Sequence, residues 1–246
     1  MRSAYSHIAS RARSVILALF ISLSLSAQSF VADGELLNAY LHNDMSAWKA
    51  HVDSFNFPYG VSRSTELSTF NLIYEYGFCG FIVSENKEAA KPYVKRFREH
   101  VEAAKTTLPK GHYEMYMSAV YVYELRIHES FHPAKAMSMA KDATKLAPDD
   151  PLTLSYYGTS LFYAPTPFGS KKEALEYFLR AEKIFRNERW YNCWVRPATM
   201  MYIAQCYDKL GNTDEAIKTA QQLLDLYPDY EYIKYDYLPA LIRRTQ

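Results

Sequence analysis

The segment HESFH, residues 128–132, carries the HExxH pattern that many zinc peptidases use. On a helix, this spacing brings His128 and His132 to one face to bind zinc and leaves Glu129 as a general base. Pro133 follows directly and predicts that the helix ends there, because proline interrupts helical hydrogen bonding. Two hypotheses therefore stand, a metal-dependent hydrolase and, as the one we favour, polar residues at the exposed end of a helix, where metal binding is at most adventitious.

Other catalytic and nucleotide-binding patterns are absent from the sequence. It contains no GxSxG, CxxC, GxGxxG or GxxxxGK[ST] motif. The 28 basic and 27 acidic side chains nearly balance, so nothing favours a nucleic-acid partner. We predict a protein that is not an enzyme and that needs no cofactor or metal.

The elements that carry these residues are predicted to be helices. Apolar residues recur at helical spacing in nearly every segment after the first 27 residues, and proline and glycine fall between the segments. No segment has the alternating pattern of a strand. The chain is therefore predicted to be all-α, with helices joined by short turns.

The last third contains a repeat-like unit. Residues 197–228 place small Ala204 where two helices would cross, a turn at Leu210-Gly211-Asn212, and Ala216 in the second helix before Pro228. This unit resembles the tetratricopeptide repeat, a helix–turn–helix of 34 residues. The resemblance implies a right-handed helical solenoid of such helix pairs and a protein or peptide partner.

The same spacing of small and apolar residues continues upstream of residue 197, and it divides the chain into predicted segments. Tetratricopeptide repeats are predicted over 117–228, degenerate helix pairs over 28–116, and a C-terminal capping helix over 229–246, in which Pro239 kinks or ends the helix. An eight-residue aromatic insert, 189–196, separates the last two repeats. The chain also loosely resembles exported bacterial repeat proteins, including the T-component of some tripartite solute transporters.

A candidate binding surface follows from the resemblance, because tetratricopeptide arrays stack their first helices along a concave groove. The residues predicted to face this groove are mainly tyrosine and phenylalanine, which suit a partner peptide or helix. The alternative function is an accessory component for transport or small-ligand binding. The alternative environment for such rings is the hydrophobic core. The predicted groove residues are Tyr121, His128, Tyr156, Phe162, Tyr163, Tyr202 and Gln205.

The N-terminus has the order of a signal peptide over residues 1–27. Arg2, Arg11 and Arg13 precede a short apolar run, and the small pair Ser26-Ala27 follows it. We expect cleavage near Gln28, export to the periplasm or the exterior, and no stable membrane insertion afterwards.

Export permits disulfides, but the chain has only three cysteines. The simplest hypothesis is that Cys79, Cys193 and Cys206 are buried thiols. A Cys79–Cys193 or Cys193–Cys206 bridge remains the alternative.

Overall fold

The computed structural model describes residues 34–54, 65–187, 190 and 192–245, with the backbone alone for 65–70. The predicted signal peptide lies outside these residues. Every regular element that the structure describes is helical, which confirms the predicted all-α class. The helices are α1 (34–41), α2 (Met45–Ser54), α3 (Thr65–Glu85), α4 (Lys87–Ala103), α5 (His112–Arg126), α6 (Pro133–Leu146), α7 (Pro151–Tyr163), α8 (Lys171–Phe185), α9 (Val195–Lys209), α10 (Thr213–Leu226) and α11 (Leu238–Arg243).

The helices pack as antiparallel pairs in chain order. The pairs are α3 with α4, α5 with α6, α7 with α8, and α9 with α10. The first helix of each pair also packs on the first helix of the next pair, so that α5 contacts α3 and α7, and α7 contacts α9. Paired helices packed in sequence are the arrangement that the repeat pattern predicts.

Small residues at the helix crossings permit this close packing. In the α7–α8 pair, a side-chain carbon at Gly158 would lie 2.8 Å from the ring of Phe178, so only glycine fits there. Ala174 and Ala181 on α8 are fully buried, as are Ala204 and Ala216 in the last pair. The positions that the repeat phase assigns to the crossings are therefore buried contacts.

We expect Ala216→Leu to lower the free energy of unfolding by roughly 1–3 kcal/mol, because three added carbons must enter a site without free volume. Urea denaturation monitored by circular dichroism measures the effect. Gln221→Leu is the control, since Gln221 is an exposed position on the same helix. An Ala216→Leu variant as stable as the control would show that the crossing is looser than the structure indicates.

Side-chain caps explain where several helices begin. Asp150 accepts a hydrogen bond from the Thr153 backbone N–H at 2.9 Å, and Pro151 takes the first position of α7. Ser170 caps α8 in the same way, through the backbone N–H of Glu173. Aspartate, serine and proline at these positions satisfy or remove N–H groups that lack partners within the helix.

Of the two sequence-based expectations for Pro239, that it kinks the helix or that it ends it, the structure rules out the second. Pro239 does not end the helix, which continues to Arg243. The preceding turn, Tyr232–Tyr237, is π-helical, and the Leu238 N–H donates to the Ile233 carbonyl five residues earlier. Because proline has no N–H and its ring crowds the preceding turn, the wider π-helical turn accommodates it inside a continuous helix.

The two ends of the described chain meet. The Tyr40 hydroxyl on α1 lies 2.6 Å from that of Tyr230, which follows α10, although 190 residues separate them. Buried side chains from α1 to the C-terminal segment join in a single hydrophobic core. The first helix is therefore part of the folded array.

Candidate functional site

Four of the predicted groove residues come together where α7 packs on α9. The Tyr163 and Tyr202 hydroxyls lie 3.3 Å apart, and the two rings meet edge to face at 6.0 Å. The Phe162 ring lies 5.5 Å from that of Tyr202, and the Gln205 side chain, one turn further along α9, is near enough to the Tyr232 hydroxyl to affect the pKa of that phenol. We name the tyrosine site by its four polar members, Tyr163, Tyr202, Gln205 and Tyr232.

The tyrosine site combines held rings with an accessible surface. Tyr202 stacks on Phe178 of α8 with ring planes 8° apart, so the core of the α7–α8 pair fixes its orientation. Phe162 is buried, whereas the Tyr163 side chain is 67% exposed. The exposed Tyr163 ring offers apolar area to a partner. Because the neighbouring rings are already fixed in orientation, binding to this site costs little side-chain entropy.

The hydroxyls of Tyr202 and Tyr232 are neutral hydrogen-bonding groups. Burial raises the pKa of Tyr202 well above its ordinary value, and the neighbouring phenols of Tyr163, Tyr40 and Tyr76 raise it further. Burial also raises the pKa of Tyr232. At neutral pH these phenols therefore keep their protons, and each can donate to a peptide carbonyl as well as accept.

Tyr156, a fifth predicted groove residue, is a core residue. It is 6% exposed, its ring meets that of Tyr76 edge to face at 5.8 Å, and its hydroxyl donates to Ser118 Oγ at 2.9 Å. Burial raises the pKa of Tyr156 to about 12. The expectation that Tyr156 lines an accessible surface is therefore not met, since its ring fills the space between α7, α5 and α3.

Tyr121 lies apart from the other predicted groove residues. Its half-buried ring is covered by the Arg98 guanidinium at 5.2 Å and by Lys135 Nζ at 4.6 Å, with the His132 ring against its edge. These neighbours belong to α4 and to the start of α6, whereas the Tyr156 ring meets Tyr76 on α3. Because the Tyr156 ring is buried, it does not continue an accessible surface from Tyr121.

The HExxH segment lies in the loop between α5 and α6. Helix α5 ends at Arg126, and His128 has a positive φ of 62° that interrupts helical geometry. The His128 Nε2 lies 3.0 Å from Lys87 Nζ on α4, whereas the His132 ring packs on Tyr121. The two imidazoles therefore do not share a helix face, and His128, predicted as a groove residue, lies beyond the end of α5 beside Lys87.

The geometry of a metal site is not found elsewhere in the part of the chain that the structure describes. No group of three or more His, Cys, Asp or Glu side chains is placed there to hold a metal ion. The three cysteines all lie in this part, and none of them forms a disulfide with another. Burial raises the pKa of the Cys206 thiol to about 12, which makes it a poor nucleophile at neutral pH.

Sequence reasoning missed an aromatic group beside the tyrosine site. Trp194, from the insert before α9, lies 5.5 Å from Tyr40, 5.1 Å from Trp48 and 5.9 Å from Tyr76, measured between ring centroids. Gly77 makes room, since a side-chain carbon there would overlap the rings of both Trp48 and Trp194. The one local signal for this aromatic group was the composition of the insert 189–196. Its large aromatic side chains are expected to be buried against other parts of the protein.

Residues 198–230 match the tetratricopeptide repeat family model. The match covers α9, α10 and the turn after them, the region where the sequence predicted the repeat at 197–228. No curated protein matches the chain. The repeat and the paired helices together support a tetratricopeptide repeat protein, and such repeats are generally non-catalytic modules that bind other proteins. Within the described residues, no helix is both long and apolar enough to cross a membrane.

Proposed function

We propose that this protein is a non-catalytic interaction module whose tyrosine site binds a peptide or helix of a partner protein. The observation that carries the proposal is the contact of Tyr163 and Tyr202 on neighbouring first helices, with one ring exposed and the other held by Phe178. In a tetratricopeptide array, the first helices form the partner-binding face. Tyrosine is enriched at such interfaces because it offers a large apolar ring and a hydroxyl on few rotatable bonds.

The geometry favours a protein segment over a metal-dependent reaction. The HExxH residues lie in a loop and face different neighbours, so they do not form a zinc centre. The tyrosine site instead presents ring faces beside the Gln205 amide and phenolic hydroxyls. A peptide segment needs both, since its side chains are partly apolar and its backbone needs hydrogen-bonding partners.

We expect Tyr163→Ala to weaken partner binding about 30-fold, which corresponds to roughly 2 kcal/mol for an interface anchor. The melting temperature should stay nearly constant, because the side chain is 67% exposed in the isolated protein. The partner is first recovered by affinity capture and mass spectrometry, and its affinity for each variant is then measured by calorimetry.

Phe131→Ala is the matched control for this measurement. Phe131 is also a large exposed ring, at 76%, but it lies in the α5–α6 loop and is not a member of the tyrosine site. Equal losses of partner affinity in the two variants would indicate nonspecific hydrophobic association and contradict a specific site. If Phe131→Ala alone weakened binding, the partner would use the α5–α6 loop and the proposed site would be wrong.

We also propose that the protein is exported through its N-terminal segment. The support is the order of arginines, a short apolar run and small residues over 1–27. Intact-mass measurement of protein recovered from the producing cells should give a chain that starts within a few residues of Gln28. A chain that still starts at Met1 in the cytosolic fraction would contradict export.

A further inference from the structure

Helix α1 covers an aromatic surface next to the tyrosine site. This surface consists of Trp48, Trp194 and Tyr230, and we name it the α1-binding surface. The Tyr40 ring lies 6.3, 5.5 and 5.3 Å from these three rings, and its hydroxyl pairs with that of Tyr230. Leu36, Leu37 and Leu41 of α1 are buried in the hydrophobic core as well.

The apolar residues of α1 form one face of the helix. Leu36, Leu37, Tyr40 and Leu41 recur at helical spacing, whereas Glu35 and Asn38 are exposed. This is how an amphipathic ligand helix lies in a groove, with anchors three or four residues apart. Helix α1 thus has the contacts of a bound peptide, although it belongs to the same chain.

A buried donor next to the Tyr40 ring has no acceptor. Trp194 Nε1 has no hydrogen-bond partner in the structure, although the Trp194 side chain is buried. An unsatisfied buried N–H costs free energy in the state that contains it. A partner helix with a hydrogen-bond acceptor at this point would satisfy the Trp194 N–H, which α1 does not do.

We propose that α1 is an autoinhibitory segment that occupies the α1-binding surface in cis, and that a partner helix with the pattern Leu-Leu-x-x-Tyr-Leu displaces it. The inference rests on the proposed function for the existence of a partner, but the cis contact itself is tested without one. Its failure would leave the Tyr163→Ala result unaffected, because Tyr163 does not belong to the α1-binding surface.

Helix α1 and an added peptide compete for the α1-binding surface, so the affinity for the peptide reports whether α1 is docked. A tethered segment meets its site at an effective concentration of about millimolar, so a free peptide competes poorly while α1 is docked. The apparent dissociation constant for the peptide rises as the fraction of molecules with an open site falls. Removing the anchor of α1 should therefore increase binding of the same peptide supplied from outside.

The test uses the full chain and a fluorescent synthetic peptide with the sequence of residues 34–44. Tyr40→Ala in the protein removes the α1 anchor and keeps Trp48, Trp194 and Tyr230 intact. We expect this variant to bind the peptide at least tenfold more tightly than the unchanged protein in fluorescence anisotropy. Asn38→Ala, on the exposed face of α1, is the matched control and should bind as the unchanged protein does.

Two results would overturn the proposal. One is a folded Tyr40→Ala protein, checked by circular dichroism, that binds the peptide no better than the control. The other comes from hydrogen exchange of the unchanged protein, which also decides the case if Tyr40→Ala fails to fold. A displaceable α1 should exchange its amide hydrogens at least tenfold faster than α9, whereas equal rates would mean that α1 opens only with the whole fold.

Discussion

Tyr156→Ala is expected to lower the free energy of unfolding by about 3–5 kcal/mol, the usual cost of truncating a large buried aromatic side chain. The ring is 6% exposed and packs against Tyr76, so its removal leaves a cavity between α7, α5 and α3. The hydroxyl that donates to Ser118 Oγ is lost as well. Chemical denaturation in urea, followed by circular dichroism, measures the change.

Two control variants separate the causes. Tyr156→Phe keeps the ring and removes only the hydroxyl, and it should cost about 1 kcal/mol, the ordinary worth of one hydrogen bond. Tyr121→Ala should also cost only about 1 kcal/mol, because its half-buried ring is held mainly by Arg98 and Lys135. If Tyr156→Ala were as mild as Tyr121→Ala, the Tyr156 ring would be an accessible surface residue, as the sequence first indicated.

Glu75→Ala is expected to destabilise the fold by about 3–5 kcal/mol, because it breaks a buried ionic contact from one side. Glu75 is 1% exposed, and its two carboxylate oxygens lie 3.1 Å from Arg96 Nε and 2.7 Å from His100 Nδ1. Arg96 also donates to the Val52 carbonyl, so the contact ties α2 and α3 to α4. Removing the carboxylate takes this close counter-charge from the half-buried Arg96 cation, and the Asp53 carboxylate, at 3.6 Å, compensates only in part.

Glu88→Ala provides the surface comparison. Glu88 pairs with Lys91 at 2.7 Å on the exposed side of α4, and its removal should change stability by less than about 0.5 kcal/mol. Thermal and urea denaturation of both variants under the same salt conditions give the difference. Similar small losses at Glu75 and Glu88 would mean that water reaches the Glu75 carboxylate in solution.

The helices and their pairing could be predicted from the sequence because the signals are local. A cap such as Asp150 and a small residue such as Gly158 act on neighbours within their own helix or helix pair. Repeats strengthen these signals, since the same spacing recurs in each unit. The matched segment 198–230 shows this best, because there the turn and both helices follow the repeat pattern.

The environment of single rings was harder to predict. Tyr121 and Tyr156 occupy similar slots in the repeat pattern, yet one is covered by cations and the other lies in the core. Among the deciding contacts are Arg98 on α4 and Tyr76 on α3, which lie outside the predicted repeats. The contact between Tyr40 and Tyr230 spans 190 residues, and no local periodicity carries that information.

The HExxH segment shows why a motif needs its structural context. The residue types and spacing are those of a zinc site, but the helix ends at Arg126, before the first histidine. With His128 in a left-handed conformation, the spacing of the two histidines along the chain no longer places them on one face. Pro133 indicated a nearby helix end, although it begins α6 and does not close α5.

Site-specific photo-cross-linking tests the interaction function most directly. A photoreactive phenylalanine analogue is placed at position 163 in the tyrosine site or at position 131 in the α5–α6 loop, and the protein is irradiated in the cells that produce it. We predict that position 163 yields a covalent adduct with one partner protein, identified by mass spectrometry, and that position 131 does not. The same partner recovered from position 131 and never from position 163 would contradict the proposed site.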